Sequence, residues 1–247
     1  MTDFVKEYLK KENDMEVNEL SEELQKYLLE HQNELLTHII QFDDLMNRYE
    51  SAIKEVYTKL EILKKDLRIH TGRNCITTIQ TRIKSPARIL NKLNRKGIPP
   101  KLESIRNELN DVAGIRVICS FIDDIYMLAD KLSRQDDLTV ILAKDYIQTP
   151  KPNGYRSYHM IVEVPVFFSD AKEYVRVEIQ IRTVAMDFWA SLEHDIKYKK
   201  EVCGCEDILR ELKDCADTIA STDQRMMELR DKITKHRKVF DQKIKPG

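Results

Sequence analysis

The stretch Tyr174-Val-Arg-Val-Glu-Ile-Gln-Ile-Arg-Thr-Val-Ala-Met-Asp-Phe-Trp189 predicts a β-strand that leads directly into an α-helix. Apolar and polar residues alternate from Val175 to Arg182, so the strand is expected to bury one face and to present Glu178 and Gln180 on the other. Thr183 can cap the helix that follows. The apolar positions of this helix, which are expected to lie against protein, are Val184, Ala185, Phe188, Trp189 and Leu192. A sheet edge followed by an ordinary amphipathic helix explains this pattern about as well as a functional site does.

The composition bounds the class of protein. The 247 residues are 34% charged but carry a formal net charge of only -1, so the surface is well solvated without a general attraction for nucleic acid or membranes. No apolar run approaches the roughly 20 residues of a membrane span, and residues 1–7 lack the apolar core of a signal sequence. We therefore expect a cytoplasmic protein. The five cysteines are scattered, and Cys203 and Cys205 are spaced too closely for the usual zinc pair, so they are interpreted as part of a loop.

Long helices are predicted at both ends of the chain. Residues 17–67 have apolar positions at intervals of three and four and are expected to form two helices. A second apolar repeat, by four and three, consists of Ile208, Leu212, Cys215, Ile219, Thr222, Met226, Leu229, Ile233, His236 and Phe240. This seam is typical of a coiled coil and can pack on the N-terminal helices or on another subunit. The predicted organisation is a helical extension at 1–69, a central domain at 70–200 and a C-terminal helix at 201–247 that packs on the domain or on another subunit.

A short helix near residue 90 concentrates positive charge. Ser85, Pro86 and Gly97 are suited to its N-cap, its first turn and its C-terminal end. Its cations, together with those just before it, are Arg82, Lys84, Arg88, Lys92 and Arg95. No acidic residue interrupts this run, and a helix N-terminus favours an anion. Phosphate binding and an ordinary solvated basic face are about equally compatible with the pattern.

Two further strands are predicted to begin with polar residues. Asp111 precedes a strand that runs from Gly114 to Ser120, and it suits a turn better than a metal site when the residue is taken alone. Residues 154–159 lead into another strand with two tyrosines, an arginine and a histidine, a set that can bind a flat ring by stacking and hydrogen bonds. Aromatic residues are also common in strands for reasons of β-propensity.

The polar groups that packing does not explain match the needs of a nucleotide triphosphate and a base. They are Arg82, Lys84, Arg88, Lys92, Asp111, Arg116, Lys144, Lys151, Tyr155, Arg156, His159, Glu178, Gln180 and Asp187. The sequence lacks both common glycine-rich phosphate-binding loops. Phosphates are therefore expected to be held by lysine and arginine side chains and by a metal, with Asp111 and Glu178 as the candidate ligands of Mg²⁺. The predicted fold is α+β, a mixed β-sheet with helices on one face and the polar site on the other, flanked by long N- and C-terminal helices.

Four motifs carry a resemblance to a known family. They are Asp111-Val-Ala-Gly-Ile-Arg116, Gly154-Tyr-Arg-Ser-Tyr-His159, Val177-Glu-Ile-Gln-Ile-Arg182-Thr and Ala185-Met-Asp-Phe-Trp189. In this order they resemble the synthetase domain of the RelA/SpoT alarmone family over roughly residues 70 to 200, with residues 82–92 where that family has its basic ATP-binding stretch. The chain has no separate hydrolase domain or long regulatory region and resembles the small alarmone synthetases. His194-Asp195 is interpreted as structural, since it lies within a predicted helix without partners for a hydrolase site.

The resemblance implies an activity and an architecture. The activity is that of a GTP pyrophosphokinase, which transfers the β,γ-pyrophosphoryl group of ATP to the ribose 3′-hydroxyl of GDP or GTP and releases AMP and guanosine tetra- or pentaphosphate. The implied cofactor is Mg²⁺. A nucleotidyltransferase-like fold and assembly as a homo-oligomer, a tetramer by family resemblance, are implied in the same way. Nucleic acid is not expected as a partner.

The resemblance also implies a role for each motif position. Arg82 and Arg116 would stack on adenine, and the ATP phosphates would be held by Lys84, Arg88 and Lys92. Asp111 would bind Mg²⁺, and Glu178 would accept the proton of the 3′-hydroxyl directly or while contacting the metal. Tyr155 would stack on guanine, and Lys144, Lys151 and His159 would contact the phosphates and sugar of the acceptor. Gln180 would support the site.

Asp187 occupies a position where some members of the family have asparagine. A carboxylate can accept hydrogen bonds from both the ring N–H and the exocyclic amine of guanine, whereas adenine presents an acceptor at that edge. Two other functions are also compatible with the sequence. One is a guanine-nucleotide sensor without activity, against which the presence of both Asp111 and Glu178 argues. The other is an RNA-binding helical adaptor, whose binding would weaken steeply with salt.

Overall fold

The computed structural model describes residues 31–198 and 206–244, within which helices and strands are numbered below. The chain divides into two compact units, Met1–Arg48 and Tyr49–Gly247. Helix α1 (Gln32–Thr71) is continuous over 40 residues, so the two helices predicted at 17–67 are one helix where that stretch is described. The remainder of that prediction, and the loop with Cys203 and Cys205, lie outside the described residues. No helix within 31–198 or 206–244 is long and apolar enough to cross a membrane.

Strands and helices then alternate irregularly, as in an α+β fold. The described elements after α1 are β1 (Ile76–Ile83), α2 (Pro86–Lys96), α3 (Leu102–Glu108), β2 (Ala113–Cys119), α4 (Ile122–Ser133), β3 (Thr139–Asp145), β4 (Tyr158–Phe167), β5 (Lys172–Thr183), α5 (Val184–Tyr198) and α6 (Glu206–Ile244). The strands form one sheet in the order β1-β2-β5-β4-β3. Strands β2 and β5 are parallel and the other neighbours are antiparallel. The predicted α+β class and mixed sheet are confirmed.

Strand β5 is the middle strand of the sheet, and its alternating sequence places apolar side chains on one face and polar side chains on the other. Val177, Ile179 and Ile181 are fully buried on the face that helix α4, with Leu128 and Leu132, helps to cover. Burial of each such side chain stabilises the fold by about 1.5–3 kcal/mol. The polar positions of β5 are left for the opposite face.

The register of β5 with its neighbours assembles that polar face. Gly114 and Arg116 of β2 lie opposite Glu178 and Gln180. On the other side, His159 of β4 lies opposite Gln180. Side chains directly opposite each other point to the same face of a sheet, so residues far apart in sequence meet around Glu178 and Gln180.

Helix α5 begins as the sequence predicts, but only part of its predicted apolar face, including Trp189, is buried. The Thr183 hydroxyl accepts a hydrogen bond of 3.1 Å from the backbone N–H of Met186 and caps the helix. Met186, Trp189 and Ala190 are buried. The expectation that the whole apolar set lies against protein is wrong within this chain, because Val184, Phe188 and Leu192 are 54%, 58% and 47% exposed.

Helix α6 packs on helices α4 and α5 of the same chain. Its buried residues, Ala216 and Asp223, lie beside the predicted coiled-coil seam, not on it. The seam residues Met226, Leu229 and Ile233 are at least half exposed. The helix therefore has one face on its own domain and a second, apolar face that the described part of this chain leaves open.

Candidate functional site

The polar face of the sheet contains an open cleft of about 220 Å³. Its walls are formed by Gln80, Thr81, Arg82, Gly114, Ile115, Arg116, Glu178 and Gln180. Arg82 on β1 and Arg116 on β2 are diagonal neighbours in the antiparallel register, since Arg82 is opposite Gly114. Diagonal neighbours are about 7–8 Å apart, about twice the 3.5–4.0 Å contact distance between carbon atoms. Both arginine side chains therefore leave the sheet on the same face, beside the cleft.

A cluster of two lysines and one aspartate borders the cleft. The Nζ atoms of Lys84 and Lys92 both donate to Oδ2 of Asp111, and the bond from Lys92 is 2.5 Å long. The second carboxylate oxygen, Oδ1, is buried and has no hydrogen-bond partner among the described residues. Burial works to raise the pKa of Asp111, but the two lysines outweigh it and hold the pKa below its ordinary value. Asp111 is therefore an ionised carboxylate with one oxygen still able to bind.

Helix α2 carries two of the predicted phosphate-binding cations, Arg88 and Lys92, and Lys84 lies just before it. It starts after Ser85 with Pro86 in its first turn and ends at Gly97, whose φ is 67°; within the described part of the chain, the Ser85 side chain makes no capping hydrogen bond. Arg88 is exposed on the helix, whereas Lys84 is buried. Burial lowers the pKa of Lys84, partly offset by Asp111. Two amines thus share a single carboxylate and keep a net positive charge, which phosphate oxygens can bind in its place.

Five side chains form a closed ring of polar contacts on the same face. Gln180 Nε2 donates to Glu178 Oε2 at 2.8 Å, and Glu178 Oε1 is 3.5 Å from His159 Nδ1. His159 Nε2 is 2.8 Å from the hydroxyl of Tyr155. Arg182 Nη2 closes the ring by donating to Tyr155 at 2.7 Å and to Gln180 Oε1 at 3.2 Å. Each of these side chains therefore fixes the position of the next.

The contacts of Glu178 determine its charge. Burial works to raise the pKa of this carboxyl, but His159 and the hydrogen bond from Gln180 hold it below its ordinary value. The nearby charge of Asp111 acts in the opposite direction, which indicates that the two carboxylates lie close enough to interact. Glu178 is ionised at neutral pH and can accept a proton or bind a cation.

Asp187 is held by two arginines at the start of α5. Its Oδ1 atom lies 2.9 Å from Nη1 of Arg182 and 3.5 Å from Nη1 of Arg116. Burial lowers the pKa of Arg116. Because both of these contacts involve Oδ1, the carboxylate retains capacity to accept hydrogen bonds from a ligand.

Aromatic rings and cations adjoin this network. Lys151 Nζ lies 4.7 Å from the ring centre of Tyr146 and 4.8 Å from that of Tyr155. The Arg182 guanidinium is 5.1 Å from the ring of Tyr155. Lys144 is opposite His159 in the register of β3 and β4. All the acceptor-side residues predicted from the sequence thus lie near one another.

Sequence reasoning misses or misplaces three residues. It puts Arg182 on the polar face without a role, although Arg182 contacts Tyr155, Gln180 and Asp187; its alternation with Gln180 is the available signal. Tyr146 lies in a polar stretch without a periodic pattern. Arg156 is included among the nucleotide-binding groups, but it donates to the carbonyl of Ala216 and to Asp217 on α6.

A metal at this site would depend on few protein ligands. Among the described residues, no three His, Cys, Asp or Glu side chains are grouped to hold an ion. The unpartnered oxygen of Asp111 and the ionised carboxylate of Glu178 fit a hard cation such as Mg²⁺, which usually binds one or two carboxylates together with substrate phosphates and water.

A mixed sheet with cations, two carboxylates and aromatic rings on one face defines a nucleotide-binding domain suited to phosphoryl transfer without a glycine-rich loop. Comparisons narrow this class. The family described as "Region found in RelA / SpoT proteins" matches residues 81–202. The GTP pyrophosphokinase YwaC of Bacillus subtilis is 41% identical over 203 residues, which cover 82% of this chain and 97% of that protein. YjbM of the same organism is 34% identical over 205 residues, covering 83% and 96%.

Solved structures are similar over the same range. The small alarmone synthetase 1 from B. subtilis bound to its product pppGpp has a TM-score of 0.72 at 35% identity and covers 78% of this chain and 98% of its own. For the small alarmone synthetase 2 from B. subtilis, the TM-score is 0.69 at 43% identity, with 77% and 97% covered. The chain belongs to the RelA/SpoT family and is similar to its small alarmone synthetases.

Proposed function

We propose that this protein is a GTP pyrophosphokinase that makes guanosine tetra- or pentaphosphate from ATP and GDP or GTP. The observation that carries the proposal is a single polar face that brings together cations, the ionised carboxylates of Asp111 and Glu178, and Tyr155. The sequence that forms this face is 41% identical to that of a GTP pyrophosphokinase. The reaction forms a bond from the ribose 3′-oxygen to the β-phosphorus of ATP. It breaks the bond between that phosphorus and the α,β-bridging oxygen, which leaves with AMP.

On the donor side, Arg82 and Arg116 stack on the two faces of adenine across the cleft. Lys84, Arg88 and Lys92 bind the phosphates. When ATP enters, its phosphate oxygens replace Asp111 as the partners of Lys84 and Lys92. This exchange keeps both lysines paired, so binding does not leave the buried charge of Lys84 uncompensated. A small alarmone synthetase 1 structure from B. subtilis is bound to the ATP analogue AMPCPP, which supports a donor site in this fold.

The exchange also frees Asp111 for its proposed role. Asp111 and Glu178 would hold Mg²⁺, which when bound would neutralise charge on the phosphates of ATP during transfer of the pyrophosphoryl group. Glu178 takes the proton from the 3′-hydroxyl, and its low pKa keeps it ionised for that step. His159 and Gln180 fix the carboxylate orientation.

On the acceptor side, Tyr155 stacks on guanine and Asp187 accepts from its ring N–H and amine. Lys144, Lys151 and His159 contact the acceptor's phosphates and sugar. Because Lys151 and Arg182 both lie near the Tyr155 ring, the incoming base takes the place of one of these cations. The proposal explains why an aromatic ring is kept between positive charges in the free protein.

The exposed apolar positions of α5 and α6 support a homo-oligomer, a tetramer by analogy with the family. Phe188 on α5 and Met226, Leu229 and Ile233 on α6 would be covered by other subunits. The reaction would take place in the cytoplasm, where ATP and GTP are available.

The test is incubation with Mg²⁺, ATP labelled at the γ-phosphate, and GDP or GTP, followed by separation of the nucleotides by charge. Label in a more highly phosphorylated guanosine nucleotide, with an equal amount of AMP, supports the proposal. Intact ATP would contradict the proposal and favour the sensor or the RNA-binding adaptor. ATP converted only to ADP and phosphate would also contradict it.

A further inference from the structure

Helix α6 contacts the acceptor side of the site through the loop that carries Tyr155. Arg156 donates to the carbonyl of Ala216 at 3.4 Å and to Asp217 Oδ1 at 3.1 Å. Gly154, with φ of +86°, lies so close that an added Cβ would be 2.5 Å from Cβ of Ala216. The residues on both sides of Tyr155 are therefore fixed against α6.

The same helix contacts the start of α5 through a buried carboxylate. Asp223 is only 7% exposed and accepts a hydrogen bond of 2.5 Å from the hydroxyl of Thr183. That hydroxyl in turn accepts from the backbone N–H of Met186. A hydroxyl has one hydrogen, so donation to Asp223 orients the oxygen lone pairs toward the helix N-terminus. Asp223 thereby completes the cap of α5.

Thr183 is placed between two residues of the acceptor site. Arg182 precedes it and binds both Tyr155 and Asp187. Asp187 lies in the first turn of the helix that Thr183 caps. A shift of the cap would therefore move Arg182 and Asp187 together, without a contact between Asp223 and the nucleotide.

The buried hydroxyl of Thr183 needs a hydrogen-bond acceptor at this position to stay in its capping geometry. Burial raises the pKa of Asp223, and the bond from Thr183 only partly offsets it. An apolar residue of similar size would avoid the cost of burying a charge, but it would leave the Thr183 hydroxyl without the acceptor that orients it. The oxygen that accepts from Thr183, and not the charge, is therefore what the cap of α5 requires of Asp223.

We propose that Asp223 is a positioning residue for the acceptor nucleotide, acting through the hydroxyl of Thr183 on Arg182 and Asp187. The inference rests on the proposed function, since it requires a guanine nucleotide at Asp187. It makes the C-terminal helix a part of the acceptor site, whereas the donor side is linked to that helix less directly, through the 3.5 Å contact between Asp187 and Arg116.

Steady-state kinetics of Asp223→Ala test the proposal. We expect the KM for GDP to rise about tenfold, which corresponds to about 1.4 kcal/mol, while the KM for ATP stays within about twofold. Asp223→Asn retains an oxygen that accepts from Thr183 and should keep the wild-type KM. Glu228→Ala removes an exposed carboxylate on the same helix and is the matched control.

Trp189, the only tryptophan in the chain, provides a readout that does not need turnover. Its Nε1 donates to the carbonyl of Leu212 on α6 at 2.9 Å, so its fluorescence reports on the α5–α6 contact beside the acceptor site. Titration with GDP in the absence of ATP should show about tenfold weaker binding for Asp223→Ala. Titration with ADP provides the comparison nucleotide and should show no difference between the variants.

A double-mutant cycle tests whether Asp223 acts through Thr183. Thr183→Val removes the hydroxyl but keeps the β-branched shape, and adding Asp223→Ala to it should weaken GDP binding no further. Equal GDP affinity in Asp223→Ala and Glu228→Ala would overturn the inference, as would a parallel loss of ATP affinity or additive effects in the cycle. If Asp223→Ala does not fold, Thr183→Val and Asp223→Asn decide the question by the same titration. Failure of the proposed function is distinct, because wild-type protein would then make no product.

Discussion

Replacement of Glu178 by glutamine removes a proton acceptor from the site with little change in shape. The amide oxygen of the new side chain can still accept from Nε2 of Gln180, which in the wild-type protein lies 2.8 Å from Oε2 of Glu178. Nucleotide binding should therefore change little. What is lost is the negative charge, and with it the ability to accept the proton of the attacking hydroxyl and to help hold Mg²⁺.

The size of the effect follows from the environment of Glu178. A positioned general base contributes about 10²–10⁴-fold to a rate, and a base with a low pKa is less effective than one near the working pH. Since His159 and Gln180 hold the pKa of Glu178 below its ordinary value, we expect a loss of about 10²–10³-fold in kcat, or about 2.7–4.1 kcal/mol at 1.36 kcal/mol for each factor of ten.

The assay measures AMP formed from ATP and GDP over a range of both substrates. Glu163→Gln is the matched control, because Glu163 is a partly buried carboxylate on the same sheet face, 3.5 Å from Arg176 and opposite it in register. It should stay within about twofold of wild type. Full activity in Glu178→Gln would show that the base is elsewhere. A loss confined to KM would show that Glu178 contributes binding and not proton transfer.

Three further predictions concern pH, stability and packing. Asp223→Asn should raise the melting temperature at neutral pH but not at low pH. The folded-state pKa of Asp223 is raised, so its carboxyl contributes stability below its unfolded pKa, and this stability is lost as the pH rises through its folded pKa. Calorimetry at two pH values checks this, and equal melting temperatures of variant and wild type at neutral pH would contradict it. His159→Asn should shift the acid limb of the pH profile of kcat to higher pH, because His159 lowers the pKa of Glu178. If the limb stays at the same pH, ionisation of Glu178 does not determine it. Gly154→Ala should destabilise the protein by about 1–3 kcal/mol in urea unfolding, since its Cβ would overlap that of Ala216; an unchanged midpoint would show that α6 yields at this contact.

Much of the sheet is predictable because its signals are local. Alternation from Val175 to Arg182 predicts a strand with a polar face, and the structure has β5 at Lys172–Thr183. Ser85, Pro86 and Gly97 mark helix α2 at the correct ends. Thr183 is predicted to cap α5, and it does so. These features depend on neighbouring residues and backbone preferences, which a single sequence contains.

The helical faces are less predictable. Both α5 and α6 have more apolar positions than the described part of one chain covers, and periodicity does not show which of them meets the domain. The structure places Trp189 and Ala216 inside and leaves Phe188 and Met226 open. An apolar seam indicates that a helix packs against another part of a protein, but only the tertiary structure shows which part that is.

The sequence by itself determined the α+β class, the polar face of β5 and the inventory of candidate site residues from Arg82 to Asp187. Only the tertiary structure decided which of these residues are partners. It pairs Asp111 with Lys84 and Lys92, places Arg182 between Tyr155 and Asp187, and turns Arg156 away to α6. The physical reason is that these contacts join residues on different strands and helices, so their geometry is set by strand register and helix packing, which local periodicity does not encode.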